Sequence, residues 1–259
     1  ITKDVIFRFL DDAAEIGVKA ISFVSDGEST CSPHLYDAIL RGKTNGLDMA
    51  LGTNGYLLKD DRLEEILPAL TYLRFNISAA EPSRYAQIMG CKKECFFKVC
   101  DKIKKCVKIK KKNNLDVTIG LQMVLLPGFK DQIIPLAKLG KELGADYFVI
   151  KHCSDDENHA LGIDYSKYFG LTGLLKKAES YSEGNYLVKA KWSKILSKGK
   201  RKYSRCYGPA FIMQFSGSGL VAPCGMLFNR KYKKYHIGNI ADTSFKKIWQ
   251  SERYWEVIN

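Results

Sequence analysis

The sequence predicts an α/β protein built on a parallel sheet, followed by a small C-terminal β-hairpin and helix. Short apolar runs alternate with segments of helical apolar spacing from Ala20 to Ile150, the pattern of strands joined by right-handed helical crossovers. After about Asp164 that alternation stops. Near the C terminus two extended pieces flank Ser216-Gly217-Ser218-Gly219, a turn composition.

The elements follow in order. Thr2 is placed to cap a helix whose apolar residues Val5, Ile6, Phe9, Leu10, Ala13 and Ile16 recur at helical spacing, and Gly17 ends it. Ala20 to Val24 is short, apolar and partly β-branched, a buried strand. A helix near Pro33 to Arg41 then leads to a strand near Asp48 to Gly52, and a helix near Arg62 to Leu67 to the strand Tyr72 to Ile77. The helix Lys93 to Lys112 leads to the strand Val117 to Leu125, and the helix Gln132 to Leu143 to Tyr147 to Ile150. These are five strands, and the chain opens on a helix. A helix at the head of such a series follows a strand, so a first strand and its loop are expected upstream of Ile1. Beyond Asp164, Tyr165 to Tyr181 is helical in pattern and Ser193 to Arg205 is basic and poor in apolar residues. Phe211 to Phe215 and Leu220 to Ala222 form the hairpin, Ile237 to Ile240 is extended, and Ser244 to Val257 is a closing helix.

No apolar run approaches the roughly 20 residues of a membrane span, and Ile1-Thr2-Lys3-Asp4 lacks a signal-peptide layout, so a cytoplasmic protein is expected. The net charge of +13 concentrates in Lys102 to Lys112, Lys198 to Arg205 and Arg230 to Lys234. Such runs attract RNA or other polyanions, but none forms a nucleic-acid module, and a solvated lysine-rich face is the ordinary reading. Nucleic acid is an open but unfavoured partner. Eight cysteines in a chain of this class point to metal, catalysis or packing rather than disulfides. Cys95, Cys100 and Cys106 share an apolar helix face with Val99, Ile103 and Val107, where thiols act as small hydrophobes, and Cys31 reads as packing too. His152 and Cys153 end a strand and are expected at a cavity mouth. His34, His159 and His236 show no metal-site pattern.

The loop Ser25-Asp26-Gly27-Glu28-Ser29 follows a parallel strand directly, where α/β sheets place ligand-binding groups. Gly27 admits a ligand close to the backbone, and Glu28 offers a carboxylate to an ammonium group. Thr53-Asn54-Gly55 follows the next strand. The strand after that carries Arg74-Phe75-Asn76-Ile77-Ser78-Ala79-Ala80-Glu81, and Tyr85 to Gly90 follow. In this order and spacing, from Ile1 to about Lys151, the sequence resembles the radical S-adenosylmethionine (SAM) superfamily. Members of that family carry Gly-Gly-Glu, Thr-Asn-Gly and an Arg-x-Ser-x-Asp-Gly-type strand in succession. Asp26 stands in place of the first glycine here, and Asn76, Ser78 and Ala79 in place of Ser, Asp and Gly.

The resemblance implies a partial (β/α)6 TIM-like barrel lacking its first strand in this sequence, and SAM as cofactor. It places Asp26, Gly27 and Glu28 at the methionine amino group and Asn76 and Ser78 at the ribose. Gln122, polar in an apolar run, is expected to face the same cavity. The family's catalytic 4Fe–4S cluster is held by Cys-x3-Cys-x2-Cys, which this sequence does not contain, so those ligands are expected outside it. The alternative is a degenerate member without a cluster.

Cys206-Tyr207-Gly208-Pro209, the hairpin, Gly219 to Cys224 and then Ile237-Gly238-Asn239-Ile240 resemble the SPASM or twitch extension of the same superfamily. That resemblance implies an auxiliary iron–sulfur cluster on Cys206 and Cys224, with further ligands, since a cluster takes about four. The expected domains are 1–163, the partial barrel; 164–205, a helical and basic connector; and 206–259, the auxiliary-cluster domain. The implied function is a radical SAM enzyme acting on a peptide or small molecule, served by an electron donor such as flavodoxin or ferredoxin. An RNA-modifying radical enzyme and a catalytically inert binding module remain as alternatives.

Overall fold

The alternation read from the sequence is realised as one sheet of strand order β1-β2-β3-β4-β5-β6. The structure, a computed structural model, describes every residue except Ser25, Asp26, Glu157, Arg201 and Lys202. The strands are β1 (Ala20–Phe23), β2 (Asp48–Thr53), β3 (Leu70–Asn76), β4 (Thr118–Leu125), β5 (Tyr147–His152) and β6 (Leu187–Ala190). The interleaved helices are α1 (Lys3–Glu15), α2 (Leu35–Thr44), α3 (Leu63–Ile66), α4 (Pro82–Met89), α5 (Glu94–Lys112), α6 (Ile133–Glu142), α7 (Thr172–Glu179) and α8 (Trp192–Ile195). Three of these elements lie outside the sequence expectation: β6 and α8 fall within the connector 164–205, beyond its helical stretch Tyr165 to Tyr181, and α4 occupies a segment whose pattern predicts no helix.

The chain divides into two compact units, Ile1–Ala50 with Lys202–Asn259, and Leu51–Arg201. In the second unit β3, β4, β5 and β6 pair in parallel, with Arg74 opposite Gly120, Gly120 opposite Tyr147 and Tyr147 opposite Leu187. Side chains alternate across a strand, so this register fixes two faces. One face carries Leu73, Phe75, Ile119, Leu121, Met123, Leu125, Phe148, Ile150, Val188 and Ala190, all buried. Helices cover it. A Cβ built on Gly140 of α6 would lie 3.3 Å from Leu121, and Tyr186 donates from its hydroxyl to the Ala137 carbonyl of α6 at 2.8 Å. This apolar layer is the core that holds the other face in place.

In the first unit Thr2 caps α1, accepting from the Val5 amide at 3.4 Å, and Gly17 follows the helix at φ +86°. Helix α1 packs on α2, where Arg41 grips Asp11 through two 2.8 Å hydrogen bonds. Its other flank meets the C-terminal segment. Strands β7 (Gln214–Phe215), β8 (Leu220–Ala222) and β9 (Gly238–Asn239) form an antiparallel sheet, followed by α9 (Phe245–Trp249) and α10 (Glu252–Ile258). Phe9 of α1, Phe215 and Phe245 form a triangle with centroids 4.5, 5.3 and 5.2 Å apart. Arg8 donates to the Ile240 carbonyl at 2.6 Å. The single closing helix expected from Ser244 to Val257 is two, because Ser251 starts a new one by accepting from the Tyr254 amide.

Candidate functional site

The opposite face of β3 to β6 is largely polar and half-buried. Alternation puts Tyr72, Arg74 and Asn76 on it from β3, with Ser78 just beyond. Gly120 and Gln122 come from β4, Tyr147, Val149 and Lys151 from β5, and Leu187 and Lys189 from β6, by register. Asn76 and Gln122, both singled out in the sequence, are opposite one another, and the Gln122 amide donates to the Asn76 Oδ1 at 2.9 Å. Gln122 is 7% exposed, so this bond is what makes an amide tolerable there. Ser78 stands between the buried Ile77 and Ala79, half-buried itself, with the same parity as Asn76.

One layer below the amide pair the packing is tight and directional. A Cβ at Gly120 would fall 2.0 Å from the Tyr147 ring, so the glycine is what lets that ring lie across the sheet. Burial raises the Tyr147 phenol above its ordinary value while the Arg74 guanidinium pulls it back. The Arg74 Nε is buried without a hydrogen-bond partner, a condition that costs about 1–3 kcal/mol for a polar group out of water. One layer above, burial lowers the Lys151 ammonium, and the cations of Lys194, Lys191 and Arg74 lower it further.

The other candidates lie in the first unit. Glu28 accepts from the Thr30 amide at 3.1 Å and the Thr30 hydroxyl at 2.7 Å, capping the short 3-10 turn Ser29–Cys31. Gly27 is exposed, and a Cβ there would meet nothing within 4 Å, which leaves its backbone open to a ligand. Asp26 lies outside the described residues. Cys206 is exposed and Cys224 half-buried, both as free thiols. Cys224 follows β8, whose hairpin aligns Gln214 with Ala222, and the Gln214 side chain accepts from the Gly225 amide at 2.7 Å. A Cβ on Gly208 would approach the Cys206 sulfur to 3.3 Å, so glycine keeps that thiol clear. Among the described residues no group of three or more His, Cys, Asp and Glu converges as a metal site. The donor set therefore suits an iron–sulfur cluster in kind but not, by itself, in number.

Three readings of the sequence need correcting. Ala20–Phe23 is a strand but not a buried one, its residues alternating exposed and half-buried. His152 does not face the cavity: strand parity puts it with Phe148 and Ile150 on the helix side, 5% exposed, its ring 5.5 Å from those of Tyr165 and Tyr168. Cys31 is exposed rather than packed. Cys100 and Cys106 are buried as expected, and desolvation raises their thiols to about 11 and about 12. Arg74, Tyr147, Lys151 and Lys189 were missed as a group. The signal was the alternation Arg74-x-Asn76-x-Ser78, which places Arg74 on whichever face holds Asn76.

A parallel sheet with one helix-covered apolar face and one largely polar face, joined in the same chain to an exposed and a half-buried thiol that flank a hairpin, fits a cofactor-dependent α/β enzyme. The chain belongs to the radical SAM superfamily, whose family model matches residues 1–139; that of SPASM, an iron–sulfur cluster-binding domain, matches residues 206–259. SAM and iron–sulfur clusters are the cofactors of these families. The chain is 24% identical to the tungsten-containing aldehyde ferredoxin oxidoreductase cofactor-modifying protein of Pyrococcus furiosus, covering 97% of this chain and 73% of that one. It is also 24% identical to the AdoMet-dependent heme synthase of Methanosarcina barkeri, over 97% of this chain and 74% of that protein. Among solved structures it is similar to Streptococcus suis SuiB bound to SAM, with TM-score 0.75 and 15% identity over all of this chain. The chain spans 61% of SuiB, which has also been crystallised with its precursor peptide SuiA. No helix among the described residues is long and apolar enough to cross a membrane.

Proposed function

We propose that the protein cleaves SAM reductively and uses the resulting radical to take a hydrogen atom from a peptide or small-molecule substrate. The observation that carries this is the largely polar face of β3 to β6, where Gln122 hydrogen-bonds Asn76 across the two strands, in a chain whose residues 1–139 match the radical SAM family model. When bound, a reduced 4Fe–4S cluster supplies the electron for that cleavage. The chain's own residues bind and orient. Glu28 pairs with the methionine ammonium of SAM, and Gly27 lets it approach. Asn76, Ser78 and Gln122 hydrogen-bond the ribose. Cys206 and Cys224 contribute thiolates to an auxiliary cluster together with other donors. An electron donor such as flavodoxin or ferredoxin reduces the enzyme.

RNA is the weaker substrate class. Within the basic run of α5, Lys102 and Lys105 are held by Asp60, Lys110 by Asp146 and Lys112 by Glu64, so part of that charge is spent inside the fold. The test is SAM affinity by calorimetry on the natural full-length protein, reconstituted anaerobically. Glu28→Gln keeps the shape and removes the charge. A charge-assisted hydrogen bond is worth about 1.5–3 kcal/mol, so affinity falls roughly tenfold to a hundredfold. Unchanged affinity refutes Glu28 as the ammonium partner.

A further inference from the structure

The polar face of β3 to β6 is not merely polar. It is cationic. Arg74 sits one layer below the Asn76–Gln122 pair, Lys189 belongs to the same layer as that pair, and Lys151 to the layer above. Lys191 and Lys194 follow β6 closely enough to act electrostatically on Lys151. Asn76, Ser78 and Gln122 on this face carry no charge, and Tyr72 and Tyr147 add only phenols. Among the described residues none of the five cations forms an ion pair. This contrasts with the lysines of α5, four of which are matched by Asp60, Glu64 and Asp146. The Arg74 Nε, buried and without a partner, points to a missing acceptor at the foot of the face.

SAM does not supply that balance. It bears a carboxylate, an ammonium and a sulfonium, so its net charge is positive, and a face with several unpaired cations disfavours it as sole occupant. Arg74 and Lys151 are half-buried and Lys189 is exposed beside them, and the buried, unsatisfied Arg74 Nε calls for an acceptor. Arg74 offers a planar fork suited to a carboxylate or phosphate, and Lys151 and Lys189 offer point charges above it.

We propose that the substrate of this enzyme carries an oxyanion, a carboxylate or a phosphate, that Arg74, Lys151 and Lys189 bind on this face. The assignment names the substrate class within the function proposed above and rests on that reading. The residues are substrate-binding groups, placed to anchor the molecule while its reacting carbon lies elsewhere.

The experiment is calorimetry at low and moderate salt on the natural full-length protein, with inorganic pyrophosphate and citrate as the two probes. SAM is titrated separately. The parent is expected to bind at least one probe, more weakly as salt rises. Which probe binds distinguishes phosphate from carboxylate. Lys151→Gln with Lys189→Gln is expected to lower that affinity at least tenfold, and adding Arg74→Gln lowers it further, while SAM affinity stays within twofold. Lys104→Gln with Lys108→Gln on α5 leaves both unchanged. Because Lys151 and Lys189 are not core residues, their variant keeps the test valid if Arg74→Gln misfolds. Probe binding that is absent, or that survives the substitutions, overturns the proposal. So does a parallel loss of SAM affinity, which assigns the cations to SAM. Oxyanion binding without SAM cleavage would instead sink the radical-enzyme reading and leave the anion site standing.

Discussion

Gly120→Ala is the most exacting perturbation of the polar face. The added methyl would lie 2.0, 2.2 and 2.4 Å from three ring carbons of Tyr147, far inside contact distance. Alanine restricts the unfolded chain and so gains about 0.4–1 kcal/mol, while overpacking costs about 1–3 kcal/mol. The cost wins, because the overlapped Cζ and both Cε atoms belong to one rigid ring, so the whole Tyr147 side chain has to swing away rather than a single torsion giving. A net loss of about 1–2 kcal/mol lowers Tm by roughly 2–4 °C per kcal/mol in a chain near this size. Urea unfolding followed by circular dichroism measures it. In a Tyr147→Leu background the ring is gone and Gly120→Ala becomes close to neutral, giving a coupling of at least about 1 kcal/mol. If Gly120→Ala costs the same in both backgrounds, the Tyr147 ring does not lie over Gly120, and the layer that carries Arg74 is wrongly built.

Two further outcomes follow from the titrating groups. Lys102 and then Lys105 hold the Asp60 carboxyl below its ordinary value. A depressed folded pKa contributes stability above the unfolded value, near 3.9, that is lost as pH falls through the folded one. Asp60→Asn is therefore expected to flatten the acid limb of stability below about pH 4 and, because Asp60 also raises the Lys105 ammonium, the alkaline limb above about pH 10, leaving the slope in between unchanged, by urea midpoints across pH; an identical acid limb contradicts it. The thiols should sort by burial. In iron-free protein at pH 8, an alkylating reagent is expected to modify exposed Cys31 and Cys206 first. Cys100 and Cys106, raised to about 11 and about 12, react only on unfolding, and rapid native labelling of Cys106 by mass spectrometry contradicts their burial.

Most of the fold was legible because buried parallel strands and amphipathic helices leave long, repeated patterns. Helix α1 was readable to its caps, Thr2 and Gly17, since capping chemistry is local. Strand β6 escaped because only Val188 and Ala190 of its four residues are buried, and two apolar positions make no pattern. Helix α4 carries a local signature in Pro82 at its start and Gly90 at φ +64° after its end, but with only Tyr85 buried it has little apolar periodicity. Ser251 splits the last helix by a cap that resembles any other serine in a helical run. In the site, Asn76 and Gln122 stood out as polar residues among apolar neighbours, whereas their hydrogen bond depends on a register between strands 46 residues apart. The cationic face depends on that same register. Arg74, Lys151 and Lys189 come from three strands, and only sheet order shows that they share a side. His152 was misplaced for the converse reason: its position at a strand end was noticed and its parity was not.

On the function proposed above, this polar sheet face belongs to an enzyme that splits SAM. The direct measurement is chromatographic quantitation of 5′-deoxyadenosine from the natural full-length protein, reconstituted anaerobically and given SAM with dithionite. The expected result is 5′-deoxyadenosine and methionine in equal amounts, dependent on reductant, and reduced at subsaturating SAM by Glu28→Gln. Iron-replete protein that binds SAM and releases no 5′-deoxyadenosine under reduction would contradict that function.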